Sequence, residues 1–314
     1  MKILITGGAG FIGSHVGRQL TADGHEIIVL DDFNDYYDPS IKRANLAERL
    51  PGATVIEGDI RDRDAVRRAF AENPGAVIHL AARAGVRPSL KDPELYLSTN
   101  INGTYNLLEA ARENGVRKFV FASSSSVYGV NPKVPFSEDD TLQRTISPYA
   151  MTKLAGEHLC SNYSHLHGLQ TICLRFFTVY GAGQRPDLAI HKFTRWIQEA
   201  RPVDMYGDGD TERDYTYIDD IVQGVIGAFQ YEDAAFDIFN LGESQTTKLR
   251  DLIATIESAL GKKAVINRMP EQPGDVPRTF ADISKARKLL GYQPTTKIKD
   301  GIPKFVEWFL SKQK

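Results

Sequence analysis

Gly7-Gly8-Ala9-Gly10-Phe11-Ile12-Gly13 is the stretch on which the reading of this chain turns. It follows the apolar run Lys2–Thr6 and opens the apolar-periodic segment Phe11–Asp23, so the glycines occupy the turn between a first strand and a first helix. Gly8, Gly10 and Gly13 satisfy G-x-G-x-x-G, while Gly7, Gly10 and Gly13 satisfy the related G-x-x-G-x-x-G. Such a turn lacks Cβ atoms so that backbone can approach a pyrophosphate, with a helix amino terminus pointing at the negative charge. A glycine motif alone is weak evidence; the strand before it and the helix after it give it weight.

The end of the second strand supports the same reading. Asp31 follows Glu26–Leu30, close to the separation at which a carboxylate accepts the ribose hydroxyls of adenosine. That carboxylate also repels a 2′-phosphate and Asp32 adds to the repulsion, so NAD is expected rather than NADP. The expected cofactor set is Gly7, Gly10, Phe11, Ile12 and Gly13 at the turn, with Asp31, Asp32 and Asn34 after strand two. Asp59 and Ile60 follow strand three at the adenine edge, and Leu80, Ala81 and Ala82 follow strand four, where small residues let a dinucleotide pass. Asn100 joins them as a polar residue in a packed segment. Lys42 either reaches an adenosine phosphate or lies on a helix surface.

Outward from this point, strands and helices alternate. Lys2–Thr6, Glu26–Leu30, Thr54–Glu57, Ala76–His79, Lys118–Ala122 and Gln170–Arg175 read as strands. Phe11–Asp23, Ile41–Leu50, Asp62–Ala71, Glu94–Asn114 and Tyr149–His167 read as helices between them. The pattern predicts an α/β fold, a doubly wound parallel (Rossmann) sheet covered on both faces. Beyond about Gly181 strand-like pieces shorten (Val203–Tyr206, Asp237–Asn240, Ala264–Asn267). Helices dominate there: Asp219–Tyr231, Lys248–Leu260, Ile283–Leu290 and Lys299–Phe309. The expected division is a dinucleotide-binding domain over 1–180 and a smaller, mostly helical substrate domain over 181–314, with a soft boundary that the chain can recross.

Composition narrows the function. Thirty-eight basic against 40 acidic residues give a net charge of −2, so no global basic field recruits nucleic acid or an anionic membrane. No apolar run reaches the roughly 18 residues of a transmembrane helix, and the apolar stretch after Met1 is too short for a secretory signal. Cys160 and Cys173 form neither a disulfide framework nor a metal-ligand cluster. No metal is expected, and a reducing cytoplasm is the expected compartment.

Candidate chemistry sits after strand five, in Ser123-Ser124-Ser125-Ser126-Val127-Tyr128-Gly129, and in Tyr149-Ala150-Met151-Thr152-Lys153. Tyr149 and Lys153 share one helix face. A phenol near pKa 10 is a poor base at neutral pH, but a fixed ammonium and a positive nicotinamide favour the phenolate. The pair can then exchange a proton with a sugar hydroxyl, with a serine hydroxyl bonding the same oxygen. An arbitrary Tyr/Lys pair at this spacing is a solvated surface contact; the glycine turn and the serines lift this one above that.

On these residues the chain resembles the extended short-chain dehydrogenase/reductase family, in its nucleotide-sugar epimerase/dehydratase branch. Arg175-Phe176-Phe177-Thr178-Val179-Tyr180-Gly181, Arg213-Asp214-Tyr215 and Pro273-Gly274-Asp275 extend the likeness over nearly the whole chain. The resemblance implies Ser124, Tyr149 and Lys153 as catalytic residues, with Tyr149 and Lys153 also touching a retained NAD. It implies a UDP- or dTDP-sugar held by the second half, and a homodimer through a four-helix bundle of Glu94–Asn114 and Tyr149–His167.

Which reaction follows depends on the serines. Family dehydratases and decarboxylases place acidic residues after the catalytic hydroxyl; here Ser125 and Ser126 stand there, and neither is a general base. Dehydration is thereby disfavoured. Arg83–Ser89, Phe177–Gly181, Gly183–Ala189 and Gln272–Val276 are similar to UDP-glucuronate 4-epimerases, although Arg83 stands where that likeness calls for glutamine. Oxidised glucuronate is a β-keto acid, so an epimerase must hold its carboxylate out of line with the carbonyl π system. Ser125, Ser126 and Thr178 are the hydroxyls expected to grip it, in place of a rigid bidentate arginine. At the nucleotide end the resemblance places Arg213 on the pyrophosphate, Asp275 on the uridine ribose and Arg185 on a ribose or phosphate. Tyr206 is expected against the uracil; Leu188, Arg87 and Arg278 complete the UDP-sugar set. Epimerases of UDP-glucose or UDP-N-acetylglucosamine, a UDP-glucuronate decarboxylase and a non-catalytic NAD-binding regulator are the alternatives.

Overall fold

β-Branched runs with two apolar faces need cover on both sides, and the structure supplies it. The computed structural model describes residues 1–142, 144–270 and 276–313. Its strands are β1 (Lys2–Thr6), β2 (Glu26–Asp31), β3 (Thr54–Glu57), β4 (Ala76–His79), β5 (Lys118–Ser124), β6 (Gln170–Phe176), β7 (Thr178–Tyr180), β8 (Val203–Tyr206), β9 (Glu212–Tyr217), β10 (Phe236–Leu241), β11 (Thr246–Lys248) and β12 (Ile266–Met269). Seven form one parallel sheet in the order β10-β6-β5-β4-β1-β2-β3. Side chains alternate between two cores with the period of two that a strand imposes. Ile3 and Ile5 join the core that includes Val16 and Leu20 of the helix Phe11–Ala22. Leu4 faces the other, with Phe70, Leu107 and Leu108.

The sheet order positions the site. After β3 the chain returns to β4 on the other side of β1, and this reversal leaves a crevice over the carboxyl ends of β1 and β4.

Several features add detail to the expectation or depart from it. Asp237–Asn240 lengthens to β10 and is the seventh strand of the main sheet, paired with β6 from Phe236↔Thr171 to Leu241↔Phe176. The helix Ile218–Gln230 packs against Phe11–Ala22, so the chain recrosses the 180/181 boundary before leaving again. The substrate side also carries two small sheets, β11-β9-β7 and β12-β8, and β12 lies two residues beyond the expected start of its strand. Finally, Glu94–Asn114 is not one helix. It is Pro93–Leu97, a π-helical turn Ser98–Asn102, and Gly103–Glu113; such widened turns recur at functional sites.

Candidate active site

The crevice opens into a cavity of about 480 Å³. At its floor the glycine turn is sterically fixed. A Cβ on Gly7, whose φ is 69°, would lie 2.8 Å from the Ala81 nitrogen, and one on Gly13 only 2.4 Å from the Gly7 oxygen. The helix Phe11–Ala22 begins without a side-chain cap, and Gly10, Phe11, Ile12 and Gly13 line the cavity. Its first-turn N–H groups are therefore available to an anion.

Asp31 ties this turn to the adjacent loop. Its buried carboxylate accepts from the Ala9 nitrogen (3.2 Å), the Phe33 nitrogen (3.0 Å) and Lys42 Nζ (3.0 Å). Lys42 is consequently buried against two aspartates rather than spread on a helix surface. Asp32, Asn34, Asp59, Ile60, Leu80, Ala81 and Ala82 line the same cavity. Asp59 is already engaged by Arg61, through Nε at 2.9 Å and Nη2 at 2.7 Å.

Asn100 does not line the cavity. Its Oδ1 accepts from the Arg83 nitrogen (2.8 Å), while its Nδ2 donates to the Arg83 oxygen (2.9 Å) and to Thr152 Oγ1 (3.0 Å). It clamps the loop after β4 to the helix that carries Tyr149 and Lys153. His79, at the end of β4, lies with its ring nitrogens 2.7 Å from Thr6 Oγ1 and 2.9 Å from Thr104 Oγ1. Burial, with the Lys153 charge assisting, lowers it to about 3, so it stays neutral.

The helix Pro148–His167 starts on a Ser147 cap, whose Oγ accepts from the Ala150 nitrogen (3.1 Å), followed by Pro148 in its first turn. That start brings Tyr149 to the cavity beside Ser124, Ser125 and Ser126 at the end of β5. Burial raises the Tyr149 phenol above 10, opposed by a hydrogen bond with Ser124 and by the Arg185 charge. One turn on, Lys153 donates to the Ala122 oxygen. Its burial brings the ammonium down to about 8 against the pull of Cys160 and Glu157. Ser124 Oγ accepts from both the nitrogen (3.2 Å) and the Oγ (3.0 Å) of Ser126. The Tyr96 ring stands edge-on to Tyr149 at 6.3 Å.

The expected substrate residues divide. Thr178, Arg185, Leu188 and Arg213 line the cavity with the serines. Arg185 makes a two-pronged contact with Asp187 (3.0 and 2.9 Å) and lies 5.4 Å over the Tyr36 ring, within electrostatic reach of Tyr149. Its charge thus acts on Tyr149 as well as on Asp187; the sequence suggested a ribose or phosphate for it. Arg87 and Tyr206 lie against each other, guanidinium to ring at 5.0 Å, outside the main lining. Arg278 pairs with Glu212 at 2.8 Å and faces a neighbouring hollow. Asp275 lies outside the described residues, as does Gln272. Sequence reasoning missed Tyr36, Tyr37, Phe136, Phe177 and Thr279 as cavity walls; only position after a strand end pointed to the two tyrosines. Among the described residues no group of three or more His, Cys, Asp or Glu side chains could hold a metal ion.

The sequence profile of the NAD dependent epimerase/dehydratase family matches residues 3–242. UDP-glucuronate 4-epimerase 4 of Arabidopsis thaliana is 44% identical over 332 residues, covering 99% of this chain and 76% of that one. The crystal structure of UDP-glucuronic acid 4-epimerase from Bacillus cereus, in complex with UDP-glucuronic acid and NAD, matches with a TM-score of 0.93 at 37% identity, over 99% of this chain and 100% of that one. UDP-glucose 4-epimerase of Thermus thermophilus, in complex with NAD, matches with a TM-score of 0.90 at 34% identity, over 99% of both chains.

Proposed function

The chain belongs to the NAD dependent epimerase/dehydratase family, and we propose that it interconverts UDP-glucuronate and UDP-galacturonate by NAD-dependent 4-epimerisation. The observation that carries this choice within the family is the serine loop. Ser125 and Ser126 face the cavity where a dehydratase needs a carboxylate base, with Thr178 in the same lining.

The chain fits a resident NAD. Glycines that tolerate no Cβ, an uncapped helix terminus and the Asp31 carboxylate line one continuous groove. Gly10 to Gly13 would hold the pyrophosphate, and Asp31 and Asp32 the adenosine ribose. When bound, NAD supplies an acceptor for the hydride of sugar carbon 4 and a donor that returns it to the opposite face. Tyr149 takes and gives back the proton of the 4-hydroxyl, Ser124 bonds the same oxygen, and Lys153 favours the phenolate by its charge. The carboxylate is held by Ser125 and Thr178. Ser126 is engaged with Ser124, which makes it a support for the catalytic hydroxyl as well as a neighbour of the substrate. Arg213 serves the pyrophosphate of UDP, with Arg278 further out.

Exposed Leu97, Tyr105 and Met151 on adjoining helices support a homodimer through the helix pair that contains Tyr149. Cys160 and Cys173 are free and buried, consistent with a cytoplasmic enzyme, and no helix of the described residues is long and apolar enough to cross a membrane.

Incubation with UDP-glucuronate, and separately with UDP-glucose, without added reductant tests the proposal by product analysis. The uronate is expected to turn over at least tenfold faster. Equal rates, or faster turnover of the neutral sugar, would replace it with a UDP-glucose epimerase.

A further inference from the structure

We infer that the loops after β2 and β4 are strapped together over the cofactor groove by the contacts Asn34–Arg83 and Tyr36–Ala84, and that Arg83 and Tyr36 set how long NAD stays bound. The inference rests on the cofactor reading above and goes beyond it.

The sheet order places β2 and β4 on either side of β1, so the loops that follow them flank the glycine turn. Two contacts cross between these loops. Arg83 Nη1 donates to Asn34 Oδ1 at 3.3 Å, and the Tyr36 hydroxyl donates to the Ala84 oxygen at 3.2 Å. Asn34, Tyr36, Arg83 and Ala84 all line the cavity whose floor is the glycine turn.

Each anchor is itself held. The Asn34 amide donates to Asp32 Oδ1, and its Oδ1 also accepts from the Tyr36 nitrogen (3.1 Å). The Arg83 backbone is gripped on both sides by the Asn100 amide, which is in turn fixed to Thr152. Ala84 accepts a second hydrogen bond, from the Tyr96 hydroxyl at 2.8 Å. Gly85 has φ 105°, and a Cβ there would lie 3.3 Å from the Tyr36 hydroxyl and 3.1 Å from Pro88, so its backbone permits the approach. Arg185 covers the Tyr36 ring from a third loop.

A dinucleotide lying between the glycine turn and this strap leaves once both contacts open. Retention has a chemical purpose in a reaction that returns its own hydride, because a cofactor lost midway strands an oxidised sugar. Arg83 thus has a role that its departure from the family pattern left open.

The test is NAD release from loaded, gel-filtered protein, followed by chromatography of free dinucleotide, for Arg83→Ala, Tyr36→Phe and the double variant. Arg67→Ala, the same charge loss at an exposed position of the helix Arg63–Phe70, is the control. Each single variant should release NAD roughly five- to tenfold faster than wild type, and the double faster than either, as expected for losing a hydrogen bond or two. Release within twofold of wild type in all three variants overturns the strap, as does equal acceleration in Arg67→Ala. A wild type that holds no NAD overturns both the strap and the cofactor reading. A wild type that retains NAD but epimerises no UDP-sugar overturns the reaction alone, because release is read without turnover.

Discussion

Lys153 donates its ammonium to the carbonyl oxygen of Ala122 across 2.7 Å, two residues before Ser124 on the same strand. The fixed charge and the hydroxyl proposed to be catalytic therefore share one rigid support, and their spacing does not depend on a mobile lysine stem. Burial lowers this ammonium to about 8, so the charge is present below that pH and is lost above it. Turnover as kcat/KM is expected to fall as pH rises through about 8. Lys153→Arg keeps its charge and should move the fall to higher pH; Lys153→Met should cut kcat by roughly a hundredfold to ten-thousandfold. An alkaline limb unmoved in Lys153→Arg would show that some other group titrates.

The serine hydroxyls are not equivalent. Ser126 gives its Oγ hydrogen to Ser124, so under the proposed reaction the sugar carboxylate relies more on Ser125 and Thr178. Thr178→Ala and Ser125→Ala are expected to release UDP-pentose by decarboxylation beside UDP-galacturonate, in a product ratio several-fold above wild type. Ser126→Ala should instead slow both products together. Product ratios from mass spectrometry decide it, and an unchanged ratio in Thr178→Ala sinks the assignment.

The nucleotide-binding half was legible because its signals are local. A glycine turn, an acid at a strand end and doubly apolar strands each depend on neighbours in sequence, and β1 and β4 lie where the pattern placed them. What sequence could not reveal was tertiary. Asp237–Asn240 reads as one more short strand, and only the pairing of β10 with β6 makes it part of the main sheet. Asn100 reads as a cofactor ligand because it is polar in a packed helix; the π turn that lets its amide grip the Arg83 backbone leaves no mark in apolar periodicity. Arg185 lines the cavity, but its position over Tyr36 depends on a loop from elsewhere in the sequence.

Buried histidines give a pH dependence of stability whose sign can be stated. His79 is lowered to about 3 by burial with help from Lys153, so the unfolded chain, with its histidine near 6.5, binds the proton first as pH falls. Its contribution is complete above about 6.5 and is lost toward pH 4, at ~1.4 kcal/mol per pH unit at most. Asp214, raised by burial to about 7, acts in the opposite direction over the same range. The informative measurement is thus a difference. His79→Gln should be less stable than wild type at pH 7, and the gap should narrow as pH falls to 4. A gap that stays constant in thermal melts would exclude the histidine as its source.

Behind the serines, Glu157 and Arg175 form a two-pronged ion pair at 2.8 and 2.9 Å, with both side chains almost fully enclosed. Ser123 donates to Glu157, and Arg175 donates to the Tyr128 hydroxyl, which reaches Asn240 at 2.7 Å. Asn240 in turn holds the Phe136 and Asp282 carbonyls, joining the helix Pro148–His167 to the second half of the chain. Removing one partner of such a pair strands a buried charge. Arg175→Met is expected to cost about 3–5 kcal/mol, whereas replacing both partners with apolar residues of similar volume costs much less. Urea unfolding of Arg175→Met, Glu157→Leu and the double variant measures this directly. If the double variant loses the sum of the two single losses, the partners are uncoupled and the pair is not what organises the serine loop. If it recovers most of the stability yet turns over slowly, the ion pair acts on catalysis by holding Ser123 and, one residue on, Ser124.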